Sequence, residues 1–597
     1  MGRRILVALP NRVNALALFL ALGGSLGASC GQKTPSGAPQ EGLPDEAAKR
    51  GLVHVNRSGG SKKRAILEAG GAGVALLDLH SDGDLDAIFA QGCDSLEELL
   101  AGDGADLAVF ASADGQFTEL QGPKLSGWWT GLATGDLDSD GDVDLVAAGF
   151  GSLRVLLQAE DGALLPGPEL LPEGARLSDS GAPAWCTSVA TLDVDRDGNL
   201  DLYVGCYLDL DPRAVPAGAL GEGALAVPCR WKGLDVYCGP RGLRAQPDLL
   251  LMGNGDGSFR DESQRLSGER AGYTLSVLPF DADGDGDTDI AVACDSSPNR
   301  LWISDGSGSF SDFGYEAGFA LSMDGQAEAG MGLAAGDVDR DGRLDLAVTN
   351  FSEEPTRLLL GAPVGFTDAT YRYGLNAESR PLLSWGAHLI DLDGDGFLEL
   401  FTTNGHVYPE ADEELTGTSY HQPDTLWRLD PSTRCERFEA RAASSILSLP
   451  RGTRGSAVGD VDGDGRPELL ISAIDGPAIL GMNRLGQENA RLCVRLLGPQ
   501  SPTERAPRTP RDGTGARCVL VVGEGAQQHA LLSESFTAEG YQSASSAWLH
   551  FGLGERESYT ALRITWPSGQ TEELGGGSAN RRLWVREGEG IIREEAL

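Results

Sequence analysis

Seven short acidic runs carry the clearest chemistry in this sequence. They are DLHSDGDLD (78–86), DLDSDGDVD (136–144), DVDRDGNLD (193–201), DADGDGDTD (281–289), DVDRDGRLD (337–345), DLDGDGFLE (391–399) and DVDGDGRPE (460–468). Carboxylates at positions 1, 3 and 5 alternate along a tight turn and can converge on one point. They are Asp78 and Asp82 (with His80 at position 3), then Asp136, Asp138 and Asp140, Asp193, Asp195 and Asp197, and Asp281, Asp283 and Asp285. Asp337, Asp339 and Asp341, Asp391, Asp393 and Asp395, and Asp460, Asp462 and Asp464 complete the series. Gly at position 6 permits the bend. Position 7 varies freely (Asp84, Asp142, Asn199, Asp287, Arg343, Phe397, Arg466), as expected where only its carbonyl is used. The acid at position 9 (Asp86, Asp144, Asp201, Asp289, Asp345, Glu399, Glu468) closes the shell. Hard oxygen donors in that number suit Ca²⁺, and up to seven ions are expected. An EF-hand would close at position 12 between helices. One such run could be a solvated Asp-Gly turn; seven in one register are read as metal loops.

Electrostatics point the same way. The seven runs hold 30 acidic side chains, within a chain of 597 residues and net charge −40, and seven divalent ions would bring that charge to −26. Ion binding is expected to stabilise the fold, because the unfolded chain has no preformed shell. The acidic balance argues against a phosphate-binding surface for nucleic acid, and against docking on anionic lipid through a basic face. With 83 Gly and 6 % aromatic residues, the chain reads as many short strands joined by tight turns.

The elements that position the runs are strands. GVALL precedes the first run and AIFA follows it; LATG and LVAAG flank the second. Starts are 58, 57, 88, 56, 54 and 69 residues apart, so the array over 51–483 gives about 62 residues per repeat. Repeats of that length holding several strands predict an all-β, seven-bladed β-propeller. The step of 88 contains an insertion over about 209–240 that bears Cys229 and Cys238, which flank RWKGLDVY and form the first expected disulfide. Cys186 with Cys206 is the second. The remaining cysteines, Cys93, Cys294, Cys435, Cys493 and Cys518, are read as buried thiols or one further bridge. No spacing suits a zinc site. Residues 484–597 lack the acidic run and read as a small C-terminal β domain, in which Trp548, His550, Trp566 and Gly569 are core and turn residues or, alternatively, a ligand patch.

The repeats resemble the FG-GAP/VCBS repeats of integrin alpha-type propellers. In that family the calcium loop joins two strands of a blade on the face opposite the ligand surface. LEAGGAGVALLDLHSDGDLDAIFAQG (67–92), CRWKGLDVYCGPRGL (229–243), NGDGSF (254–259) and NGHVYPE (404–410) are similar to proteins that pair this propeller with an ASPIC/UnbV domain. RDGTGARCVLVV (511–522), GYQSASSAWLHFGLG (540–554) and LRITWPSGQ (562–570) resemble the domain itself. His80 and the closing Glu of the last two runs depart from the pattern and bear on individual sites, not on the fold.

Residues 1–30 read as a signal peptide: Arg3, Arg4 and Arg12, an apolar stretch over 15–22, then small residues up to Cys30. The Cys matches a bacterial lipoprotein site, with Leu26 one position early; a plain secretory leader is the alternative. Residues 31–50 are expected to form a flexible linker. The mature chain is placed outside the cytoplasm, at a bacterial cell envelope or secreted, touching membrane only through the lipid.

No HExxH or Walker loop is present, and both G-x-S-x-G matches fall in the leader. The expected function is a calcium-binding scaffold that binds a protein or glycan at the cell surface. The alternative is an extracytoplasmic enzyme with a site near His406 and His421, where Tyr408, Glu410 and Glu413 also lie.

Overall fold

The computed structural model describes residues 42–171, 182–215, 219–220, 226–227, 229–430, 435–438, 445–500 and 507–597. The leader, Cys30 and the start of the linker lie outside the described residues. The chain is nearly all β. Seven sheets each hold one acidic loop between their first two strands. The first strands are Val74–Leu77, Trp129–Gly135, Cys186–Leu192, Thr274–Phe280, Gly330–Gly336, Ser384–Ile390 and Thr453–Gly459. Each packs against the first strand of the next sheet, and the last packs against Val74–Leu77, so the sheets form a closed ring, the arrangement of a β-propeller. These strands are buried on both faces, and the packed interiors between sheets are built from Val, Leu, Ile and Ala.

The linker expected over 31–50 ends sooner than residue 50. Leu43 and Ala47 are buried, Pro44 bridges Ser445, and Asp45 bridges Gly481 in the seventh sheet. Arg451 pairs with Asp45 at 3.0 Å. The N-terminal end of the ring therefore lies along its last sheet, which otherwise has three strands. The apolar spacing of Leu43 and Ala47 is what ties this stretch down.

Residues from Ala490 onward form two four-stranded sheets that share a core of Leu492, Val494, Cys518, Leu520, Phe551, Leu562 and Trp566. One segment leaves this sandwich. Ala538–Glu539 and Ser543–Ala544 form a hairpin that joins the first propeller sheet, with Ala544 alongside Ala75. The hairpin touches first strands around the whole ring. Val74 N–H donates to Ser543 Oγ (3.1 Å), Leu132 N–H to Gln542 O (3.1 Å), Leu333 N–H to Gly540 O (3.3 Å) and Val458 N–H to Ser545 Oγ (3.1 Å). First strands are sheet edges, and the hairpin satisfies N–H groups they leave free.

A small residue stands five positions before every acidic run (Gly73, Gly131, Ser188, Ser276, Gly332, Gly386 and Gly455), and where it is Gly the first strands approach one another and the hairpin closely. A Cβ on Gly332 would come within 2.0 Å of Trp385 O, and one on Gly455 within 2.7 Å of Ser543 Oγ. At the hairpin tip, Tyr541 is fully buried and packs edge-on against Trp385 at 4.9 Å. It belongs to a cluster with Trp128, Trp185, Tyr207 and Tyr408.

Tyr541→Ala should therefore lower stability by about 3 kcal/mol, the scale of a buried aromatic truncation. Urea denaturation checks this, and an unchanged midpoint would mean that the hairpin does not hold the ring.

Candidate functional site

The acidic loops follow one hydrogen-bond plan. Each position 6 glycine takes φ between +83° and +104°. In all seven loops the position 5 carboxylate accepts the position 7 N–H, at 2.8–3.0 Å, as an Asx turn that aims the position 7 carbonyl. In six loops the position 1 carboxylate accepts the position 6 N–H, at 2.7–3.2 Å.

The position 9 acid has a role that its spacing did not reveal. It opens the second strand of each sheet, buried, and accepts the position 2 N–H of its loop at 2.8–3.0 Å in all seven. In six loops its other oxygen accepts an N–H from beyond the second strand, such as Gly253 to Asp201 at 2.8 Å and Ser304 to Asp289 at 2.8 Å. The acid locks the loop to its sheet.

Carboxylate oxygens converge within 4.8 Å of one another in Asp136/Asp138/Asp144, Asp193/Asp195/Asp197, Asp281/Asp283/Asp285, Asp337/Asp339/Asp345 and Asp391/Asp393/Glu399. Several have nothing to bind. Oδ1 of Asp195, Asp339, Asp391 and Asp462 and Oε1 of Glu399 are buried without a hydrogen-bond partner. Burial, with repulsion from neighbouring carboxylates, pushes Asp144 up to about 7 and Asp289 and Asp345 up to about 8. It raises Asp193 and Glu468 well above the ordinary range. Such oxygens need a cation or a proton, so the donor set fits a hard divalent ion.

The first loop differs. His80 takes the place of the position 3 carboxylate, and its Nδ1 lies 3.2 Å from Asp86 Oδ2, so this loop offers one acid fewer and part of the closing acid is already engaged. At position 7, Arg343 and Arg466 pair with the position 5 acids of their own loops, Asp341 and Asp464.

The C-terminal sandwich covers this face. Arg582 pairs with Asp460, and Arg517 pairs with Asp281 at 3.3 Å while donating to Gly342 O at 2.6 Å. Arg511 donates to Ser139 O (2.7 Å), Arg508 to Asp197 O (3.4 Å) and Arg491 to Leu392 O (3.1 Å). Six of the seven loops thus receive an arginine from one module. Among the residues weighed as a patch, Trp566 is in the sandwich core, Gly569 is a left-handed turn (φ +82°), Trp548 lies edge-on to Trp584, and burial pushes His550 down to about 4.

Each first strand runs from the aromatic cluster at its start to an acidic loop at its end. At the cluster end lies a chamber of about 680 Å³, lined by Trp185, Tyr207, Trp231, Trp385, Tyr408 and Tyr541 among others. The inserted loop roofs it. Cys229 and Cys238 are joined by a disulfide, Tyr237 donates to Val407 O at 3.0 Å, and Lys232 pairs with Glu353 at 3.0 Å. Cys186 and Cys206, the second expected pair, are instead buried free thiols facing each other across neighbouring strands. The register slips between Gly205 and Cys206, so they meet off the regular ladder. The Cys186 thiol beside it, and then burial, push the Cys206 thiol well up.

His406 and His421 form no joint site. His421 is exposed, edge-on to Tyr420. His406 is fully buried; its Nδ1 accepts the Tyr408 N–H (3.1 Å) and its Nε2 lies 3.2 Å from Ser352 Oγ. Since Nδ1 accepts, Nε2 carries the proton and donates to the serine, the reverse of what a general base requires. Burial, then Arg454, pushes the imidazole down to about 3.

Two outcomes follow. Asp195→Asn should stabilise the metal-free chain by relieving repulsion and weaken the calcium-loaded one, whereas Asp201→Asn should destabilise both by about 1–3 kcal/mol through a lost buried acceptor. Melts with calcium and with chelator separate the two; identical behaviour of the variants would contradict the division of labour. The His406 resonance should not titrate between pH 5 and pH 8 by NMR, and a midpoint near 6.5 would contradict its packing role.

Residues 506–592 match the family ASPIC and UnbV, and 136–204, 233–292 and 281–348 match the FG-GAP-like repeat. The chain is 29 % identical over 308 residues to cartilage acidic protein 1 of Xenopus tropicalis, across 50 % of this chain and 42 % of the relative, so the match spans less than half of that relative's length. It is 25 % identical over 517 residues to cartilage acidic protein 1 of Homo sapiens, across 76 % of this chain and 71 % of the relative. The chain therefore carries an ASPIC and UnbV domain behind FG-GAP-like repeats and is similar in sequence to cartilage acidic protein 1.

Proposed function

We propose that the chain is a calcium-binding β-propeller scaffold outside the cytoplasm, which binds a protein or glycan at the cell surface through the chamber end of the ring. The observation that carries this reading is the set of buried, partnerless carboxylate oxygens in loops of one shared geometry. Calcium supplies the missing positive charge and accepts irregular oxygen shells. Asp391, Asp393 and Glu399 would hold one such ion, and Asp193, Asp195 and Asp197 another.

The ligand face follows from what is already covered. The loop end carries the chain's own sandwich, while among the described residues the inserted loop lies over the chamber end, tied there by Tyr237 to Val407 O. The disulfide in that loop favours an oxidising compartment, which agrees with the leader and with lipid attachment at Cys30. No helix among the described residues is long and apolar enough to cross a membrane.

Chelation tests the reading. Melting in millimolar Ca²⁺ should exceed melting in excess EGTA by well over 10 °C, since several sites at about 100-fold over Kd contribute roughly 2.7 kcal/mol each. Equal melting temperatures would overturn it.

A further inference from the structure

We propose that the chamber takes a neutral saccharide. This rests on the reading of the chamber end as the ligand face, and the chemistry of the lining narrows the class. The walls are aromatic: Trp231 of the roof loop is half-buried and lies 4.4 Å from the His406 ring and 5.8 Å from Tyr408. Such faces stack on the C–H faces of a sugar ring or on a cation.

The polar groups decide between these. Carboxylates line the chamber at Asp295, Glu353 and Glu354, and guanidiniums at Arg230 and Arg241. Asp295 is buried and accepts the Tyr207 hydroxyl at 2.5 Å, and Glu354 accepts the Ala329 N–H at 2.8 Å. Glu353 is paired with Lys232 at 3.0 Å and Arg230 with Asp235 at 2.9 Å, so these side chains offer a ligand of either sign little uncompensated charge. A neutral ring with vicinal hydroxyls donates to the carboxylates and accepts from the guanidiniums without having to displace those pairs.

Trp185 and Gln542 also line the chamber, and the ring hydroxyls of a sugar donate and accept at once where its walls turn polar. The volume, about 680 Å³, is within the range of small-ligand pockets. Gln542 and Tyr541 come from the C-terminal hairpin, so that module builds part of this site.

The test uses the full mature chain loaded with Ca²⁺, on a printed array of neutral, sulfated and amino oligosaccharides. Any hit is then followed by quenching of tryptophan fluorescence, with choline as the cationic control. Neutral glycans should bind, Trp231→Ala should weaken them at least tenfold at an unchanged melting temperature, and Trp231→Phe should restore part of the loss. Binding confined to sulfated or amino glycans, or quenching by choline alone, overturns the ligand class and leaves the chamber as a ligand site. No binding by any probe, or binding equal in Trp231→Ala, overturns the chamber as well; the calcium reading is judged separately by its melt.

Discussion

The ninth carboxylate of each acidic loop, buried at the start of the second strand and accepting backbone N–H groups, is the interaction on which the rest depends. It fixes the loop against the sheet, as in Asp201 with Val194 and Gly253. Once the loop is fixed, the acids at positions 1 and 3 cannot swing apart to relieve their repulsion. Their free oxygens, such as Oδ1 of Asp195 and Asp339, are held buried and unpaired. A cation is the direct remedy. The loop thus gains rigidity from one carboxylate and a requirement for positive charge from the others.

Part of that charge comes from the chain itself. Arg517 and Arg582 reach the first acids of two loops, and four more loops receive an arginine N–H on or beside the turn, some of them from Arg491, Arg508 and Arg511. Docking of the sandwich is therefore tied to the same acidic surface that holds the unpaired carboxylates. The hairpin then carries the connection through the ring to the aromatic end, where Tyr541 and Gln542 line the chamber. The acidic face and the chamber end share one element.

Much of this was legible in the sequence. The spacing of Asp, Gly and the closing acid located all seven loops and put strands on both sides of each, as the pairing of Leu77 with Asp86 and of Gly459 with Glu468 bears out. The propeller arrangement followed from the repeat length. Other features were visible but had no reading. A small residue stands five positions before every loop, yet its purpose depends on contacts remote in sequence, such as Gly73 against the hairpin's Gln542 O. The arginines of the C-terminal module carry no periodicity, so nothing local ties Arg582 to Asp460. Leu43 and Ala47 were hidden in a Gly- and Pro-rich stretch that resembles a tether. His406 looked reactive by type; its tautomer, set by the Tyr408 N–H, depends on a fold that composition cannot supply.

The central claim is that the acidic loops hold calcium, and counting the ions tests it most directly. Native mass spectrometry of the mature chain, after dialysis against Ca²⁺ and removal of free ion, should find five to seven bound ions, with the 78–86 loop the weakest because His80 stands where the other loops have a carboxylate. Zero to two ions would contradict the account and leave the acidic runs as turns held by protons, arginines and backbone alone.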